Sequence, residues 1–302
     1  MKKLRISVVQ YLNTAPLVYG FTHGPLKGKY ELSFTVPSRC AEELRNGRAD
    51  IAIIPAIEYQ RIEDLVVLPD LAIAAKRRVR SLLIVSKKPI EEVKSIALDR
   101  SSRSTQALTK ILCAEHWGIT PEFTEAALET SSMLENADAA LLIGDPALRL
   151  AIGMSRTAAL GSAGELISDG DRVGINFEGH VYAYDVVQEW RRLTGLPAVL
   201  AVWAAQRDSV TPETVADFAA SKAYGIANIP EIASEAAERG RWPINDTLMY
   251  LRDNIDFTLD EENQAGLELY YCLAAKHGLI GRARTIEWAS VDVPRDKISV
   301  EQ

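Results

Sequence analysis

Short apolar runs separated by polar turns mark the first half of the chain. Leu4 to Val9 is rich in β-branched residues and predicts a strand; Gln10 to Leu17 predicts a turn, with Pro16 near the start of a helix. Tyr30 to Val36 alternates and predicts a second strand. Pro37-Ser38 then opens a helix through Leu44, with Ser38 as its N-cap and Asn46-Gly47 as its end. Asp50 to Ile54 has the unbroken apolar character of a strand buried on both faces. The order β-α-β-α-β predicts a parallel sheet covered by helices.

The same plan returns further on. Ser95 to Leu98 predicts a strand, Asp99 to Arg103 a polar turn, and Ser104 to Trp117 a helix. Pro121 to Glu125 and Asp138 to Ile143 predict two more strands. Arg80 to Val85 and Ala198 to Trp203 read as strands that cross between the two units; a helix from Asp185 to Leu193, closed by Gly195, precedes the second. Helices are expected over 212–227, 244–254 and 260–277. The expected fold class is therefore α/β, with two lobes, a hinge of two crossover strands and a ligand cleft between the lobes. Lobe I takes residues 1–90 and 198–302, and lobe II takes residues 91–197.

Composition narrows the partners. The chain has 302 residues, 47% hydrophobic and 25% charged, enough for two ordinary cores and far from a disordered composition. A net charge of −7 disfavours nucleic acid, whose phosphates need a basic face. Met1-Lys2-Lys3-Leu4-Arg5 begins like an export signal, but Gln10 and Asn13 break the apolar stretch. No window reaches the roughly 18 apolar residues of a membrane span. A cytoplasmic location and no membrane partner are expected. Cys40, Cys113 and Cys272 read as reduced core thiols, and the five tryptophans as core or lobe-packing residues. His23, His116, His180 and His277 lack ligand spacing, so no metal site is expected; without a Walker or dinucleotide glycine motif, no cofactor is expected either.

Two segments carry candidate chemistry. Asp99-Arg100-Ser101-Ser102-Arg103-Ser104-Thr105 follows a strand and opens a helix, so free N–H groups, hydroxyls and the Arg103 guanidinium could converge on a carboxylate. An ordinary N-cap with surface serines is the alternative. Tyr11-Leu12-Asn13-Thr14-Ala15-Pro16 lies at the carboxyl end of the first strand, where open parallel sheets bind ligands. A structured turn is the alternative there. Ser81 faces either the cleft or the hinge interior. Lys76-Arg77-Arg78-Val79-Arg80 reads as a solvated loop that could draw in an anion.

Taken together, these residues resemble the chorismate dehydratase family of the futalosine route to menaquinone. The likeness rests on Tyr11-Leu12-Asn13 with Pro16-Leu17, Ser101-Ser102-Arg103 and Leu142 to Leu148. It rests also on Tyr184-Asp185 with Glu189-Trp190 and on Thr194-Gly195-Leu196-Pro197. It spans roughly residues 4 to 205. Two departures stand out: Ser104-Thr105 where Thr-Ser is usual, and Ala198 and Leu200 where the returning strand usually has aromatic residues. The resemblance implies a type II periplasmic-binding-protein-like fold and a hydro-lyase acting on chorismate, a small dicarboxylate. It implies that Asn13 and Ser81 are catalytic. It also implies that Tyr11, Ser38, Ser101, Ser102, Arg103, Ser104, Thr105, Gly144 and Asp145 bind substrate. The competing readings are a relative of 1,4-dihydroxy-6-naphthoate synthase from the same route and a non-catalytic receptor for a small carboxylate. The oligomeric state is not legible in the sequence.

Overall fold

The structure, a computed structural model, describes residues 3–126, 130–157, 165–168, 179–240 and 242–290. The expected start residues Met1 and Lys2, and the His180 side chain, lie outside that description. The chain opens with β1 (Arg5–Val9), α1 (Ala15–Thr22), β2 (Glu31–Thr35), α2 (Pro37–Arg45), β3 (Ile51–Pro55) and the short α3 (Ala56–Tyr59). An eleven-residue strand, β4 (Leu65–Ala75), leads to β5 (Leu82–Ser86). Next come β6 (Ser95–Asp99), α4 (Arg103–Glu115), β7 (Glu122–Ala126), α5 (Thr130–Glu135), β8 (Ala139–Ile143) and α6 (Gly144–Thr157). After β9 (Glu165–Ser168), β10 (Gly179–Asp185) and α7 (Val186–Thr194), β11 (Ala198–Gln206) returns the chain. Helices α8 (Pro212–Ala227), α9 (Ile229–Gly240), α10 (Ile244–Met249) and α11 (Glu261–Lys276) follow, with a π-helical turn at Tyr250–Asn254.

The strands form two sheets, one of five strands in the order β2-β1-β3-β11-β4 and one of six in the order β7-β6-β8-β5-β10-β9. In the first, β1 is parallel to β2 and β3, and β11 runs antiparallel to β3 and β4. In the second, β6 is parallel to β7 and β8, and β5 runs antiparallel to β8 and β10. Each sheet thus holds a parallel trio followed by an antiparallel strand, with β4 beyond it in the first sheet and β10 and β9 beyond it in the second. The repeated plan expected from the sequence is present, but both sheets are mixed rather than parallel. Leu82–Ser86, placed by the sequence reading at the end of the first lobe, hydrogen-bonds within the second sheet instead.

Burial explains the strand order. The central strands β3 and β8 are buried at every position, whereas the edge strands β2 and β7 expose most of theirs. Strand β4 is not among the strands expected from the sequence, and Pro69-Asp70 interrupts its apolar run. Asp70 does adopt φ of 58°, but β4 is an edge strand, where a proline and an irregular register are tolerated. Helix α2 starts at Pro37 with Val36 as N-cap, so Ser38 is inside the first turn and does not cap it. Helix α8 packs on α1, and the contact is close enough that a Cβ at Gly225 would lie 1.8 Å from the Pro16 carbonyl oxygen. Cys40 and Cys113 are buried as expected, but Cys272 is exposed on α11. Trp190 and Trp203 are fully buried, while Trp288 is 38% exposed, outside the expected core. No described helix is long and apolar enough to cross a membrane.

The basic run at the first crossing is not a solvated loop throughout. Val79 and Arg80 are buried, and Arg80 holds φ of 64°. The cause is Asp185, the N-cap of α7. Its carboxylate accepts the N–H groups of Val79 and Arg80 at 3.0 and 2.7 Å, together with those of Val187 and Gln188 at the start of its own helix. Lys76 is also engaged, donating to Asp260 at 2.6 Å.

Candidate active site

Between the two sheets lies a small cavity of about 50 Å³ lined by residues of β1, β3, β8 and β11 and by the starts of α2 and α4. Tyr11, Asn13, Ser102, Thr105 and Gly144 all face it, so both segments singled out in the sequence meet there. Pro37, Pro55, Ile73, Leu82 and Leu200 supply apolar wall. The carboxyl ends of β1 and β6 feed this place from opposite sheets, as the strand-end rule for open α/β sheets expects.

The start of α4 lacks a side-chain cap. Ser102 is its N-cap residue, yet no side-chain bond caps the helix. The Ser102 hydroxyl instead shares a hydrogen with Thr105 Oγ1 at 2.7 Å, so two hydroxyls stand together over the uncapped first turn. Free N–H groups and the positive end of the helix dipole attract a carboxylate.

The other predicted members of this segment have different duties. Ser101 donates its N–H and hydroxyl to Asp99 Oδ1 at 2.8 and 2.7 Å, folding the turn before α4. Its carbonyl accepts the Ser38 N–H at 3.1 Å, so Ser38 ties α2 to the second sheet's loop and does not reach the cavity. Ser104 accepts the Ile57 N–H at 3.1 Å and faces α3, away from the cavity. Arg103 also points away. Its guanidinium pairs with Glu58 at 2.9 Å and Glu42 at 3.1 Å. Glu58 is fully buried and receives Arg45 and Arg61 as well. Burial alone would raise the Glu58 carboxyl, but Arg103, Arg61 and Arg45 outweigh it and hold it below the usual carboxylate range. The arginine expected to grip substrate is a partner in this buried cluster.

Tyr11 is placed by its neighbours. Gly144 adopts φ of 65°, and a Cβ there would lie 2.7 Å from the Tyr11 ring, so the ring rests on a bare Cα. Asp145 accepts the Leu12 N–H at 3.1 Å and fixes the turn that carries Asn13. The Asp145 carboxyl lines an outer groove on the far side of Tyr11 and is absent from the cavity wall. The Tyr11 hydroxyl is buried without a hydrogen-bond partner, and burial pushes its pKa up to about 12. Asp99 Oδ2 is likewise buried and unpartnered, and burial raises that carboxyl too. The Tyr11 hydroxyl therefore sits in the buried polar surroundings of Ser101 and Asp99 behind the cavity wall.

Ser81 turns to the interior. It is 1% exposed, its carbonyl accepts the Gly144 N–H at 2.8 Å, and its hydroxyl accepts from Tyr250 at 2.8 Å. Sequence reasoning missed Tyr250. It lies at the start of the π-helical turn, far along the chain, and only the folded approach of that turn to the first crossing reveals it. The histidines show no ligand cluster: His116 faces Glu189 and His277 faces Glu115, and among the described residues no group of side chains is arranged for a metal.

Solved structures with this architecture include an Archaeoglobus fulgidus protein, with a TM-score of 0.69 and 20% identity over 92% of this chain and 98% of that one. The periplasmic aliphatic sulphonate binding protein SsuA of Escherichia coli superposes with a TM-score of 0.59 at 15% identity, covering 94% and 95% of the two chains. A Candida albicans protein described as having the generic periplasmic binding protein fold superposes with a TM-score of 0.55. These likenesses confirm the expected fold. The chorismate dehydratase of Thermus thermophilus is 27% identical over 275 residues, 89% of this chain and 94% of that one. The family model for menaquinone biosynthesis matches residues 4–276, and the chain belongs to that family.

Proposed function

We propose that this protein is a cytoplasmic hydro-lyase that converts chorismate to 3-[(1-carboxyvinyl)oxy]benzoate and water. The observation that carries the reading is the joint cavity: Asn13 and Tyr11 from one sheet face the uncapped α4 start, with Ser102 and Thr105, from the other. A carboxylate is the kind of group the uncapped helix start suits, and chorismate carries two.

Losing water makes the ring aromatic, so the reaction runs downhill without a redox step. The C–H bond next to the enolpyruvyl ether breaks, the ring C–O bond breaks, and the electron pair released by the first completes the aromatic ring. Asn13 and Ser81 do not titrate near neutral pH, so neither serves as a base. A carboxylate of the substrate itself takes the ring proton and passes it to the departing hydroxyl, which leaves as water. Asn13 hydrogen-bonds at the reacting centre, Ser81 donates to the departing hydroxyl, and the helix start holds the opposite end of the molecule. Catalysis then rests on orientation and fixed dipoles. With Arg103 committed to Glu58 and Glu42, the carboxylate grip falls to Ser102, Thr105 and the α4 N–H groups.

Incubation of the purified protein with chorismate tests the reading. An aromatic absorbance should rise, and the product mass should differ from chorismate by one water. Chorismate recovered unchanged refutes it.

A further inference from the structure

The role of the C-terminal helices follows from one contact. The π-helical turn Tyr250–Asn254 brings the Tyr250 side chain, 1% exposed, against the first crossing, where its hydroxyl donates to Ser81 Oγ at 2.8 Å. Wide turns of this kind often interrupt helices at functional places, because the extra residue re-aims a side chain. Ser81 is then held at two points, its carbonyl by the Gly144 N–H and its hydroxyl oxygen by Tyr250. A hydroxyl that accepts one hydrogen bond retains its own proton for one other partner. With the Tyr250 side taken by a donor, that proton is free for a second partner, and two residues joined to Ser81, Leu82 next in the chain and Gly144 through its N–H, line the cavity.

We infer that Tyr250 is a positioning residue for the dehydration, orienting the Ser81 O–H at the hydroxyl that the substrate loses. The inference rests on the proposed chorismate reaction. Tyr250 touches no ligand itself. Burial raises its phenol pKa and keeps Tyr250 a neutral donor, and hydrogen bonding by Ser81 and Asn13 offsets only part of that rise, which puts Tyr250 beside both predicted catalytic residues. No covalent step is assigned to it.

The test compares the wild-type protein with Tyr250→Phe, which keeps the ring and removes only the donor. Steady-state kinetics on chorismate and thermal unfolding are measured on both. The expected result is a kcat lower by on the order of 10- to 100-fold, as for loss of an outer-shell orienting partner. KM should stay within about twofold, because ground-state binding is untouched. An unchanged kcat overturns the inference, and so does a KM that rises in proportion to the fall in kcat/KM. If Tyr250→Phe does not fold, 3-fluorotyrosine at position 250 replaces it. This analogue has the same shape and a more acidic phenol, so kcat should change by more than about twofold at constant KM if the hydrogen bond matters; no change overturns the inference. Absence of turnover in the wild type would instead refute the chorismate reading, so the two failures are distinct.

Discussion

Asp185 accepts the Arg80 N–H at 2.7 Å, and that contact pins the chain where it first passes between the sheets. The same carboxylate caps α7, so one side chain fixes both the crossing before Ser81 and the helix that precedes the return strand. Four backbone N–H groups converge on it.

Asp185→Ala should therefore leave buried donors unpaired and lower stability by roughly 2–4 kcal/mol, more than a surface cap would cost. Thermal unfolding reads the loss. An unfolding midpoint within a degree of wild type would show that water substitutes for the carboxylate.

Asn13→Ala should abolish turnover of chorismate while leaving the unfolding midpoint nearly unchanged, because Asn13 faces the cavity. Near-normal kcat in a folded variant would remove Asn13 from the mechanism.

Gly144→Ala combines a left-handed backbone with a Cβ 2.7 Å from the Tyr11 ring. The backbone term alone costs about 1 kcal/mol. The ring must also move, which disturbs the cavity wall, so KM for chorismate should rise along with the fall in stability. A KM equal to wild type would mean that Tyr11 is not part of the binding surface.

Arg103→Leu separates the buried cluster from the cavity. Losing one of three arginines on Glu58 should cost stability, on the order of 3 kcal/mol for a partner removed from a buried pair, with little change in KM. The pH dependence has a definite sign. Glu58 is held below the usual carboxylate range in the folded protein, so its contribution is complete above the unfolded value of about 4.3 and is lost as pH falls through the lower folded value. Unfolding midpoints from pH 7 down to pH 3 should show a smaller acid-side loss in Arg103→Leu than in wild type. Parallel curves would exclude Arg103 from that linkage, and a large KM increase would return it to the substrate.

The sequence carried the site's two halves because each is local. Tyr11 to Asn13 and Ser102 to Thr105 sit at strand-to-helix turns, and alternation and apolar runs locate such turns well. What it could not carry was direction. Arg103 and Ser104 are neighbours of Ser102 on the same turn, yet helix geometry sends them towards α3 and its buried Glu58. Ser81 and Tyr250 are separated by 169 positions, and nothing in either neighbourhood announces their meeting. Lys76 to Arg80 looked like one charged loop, but Asp185 draws its second half inward. Strand β4 was missed because the tolerance of an edge strand for Pro69-Asp70 is a property of the sheet, not of the residues.

The place of β11 bears on how the protein is made. It lies between β3 and β4, so β4, eleven mostly apolar residues, has no neighbour to pair with until Gln206 has been synthesised. The six-stranded sheet, contiguous from Leu82 to Asp185, can close earlier on the ribosome. During that interval the nascent chain carries an unpaired sticky strand, so arrested chains ending shortly before Ala198 should aggregate while those ending beyond Gln206 stay dispersed.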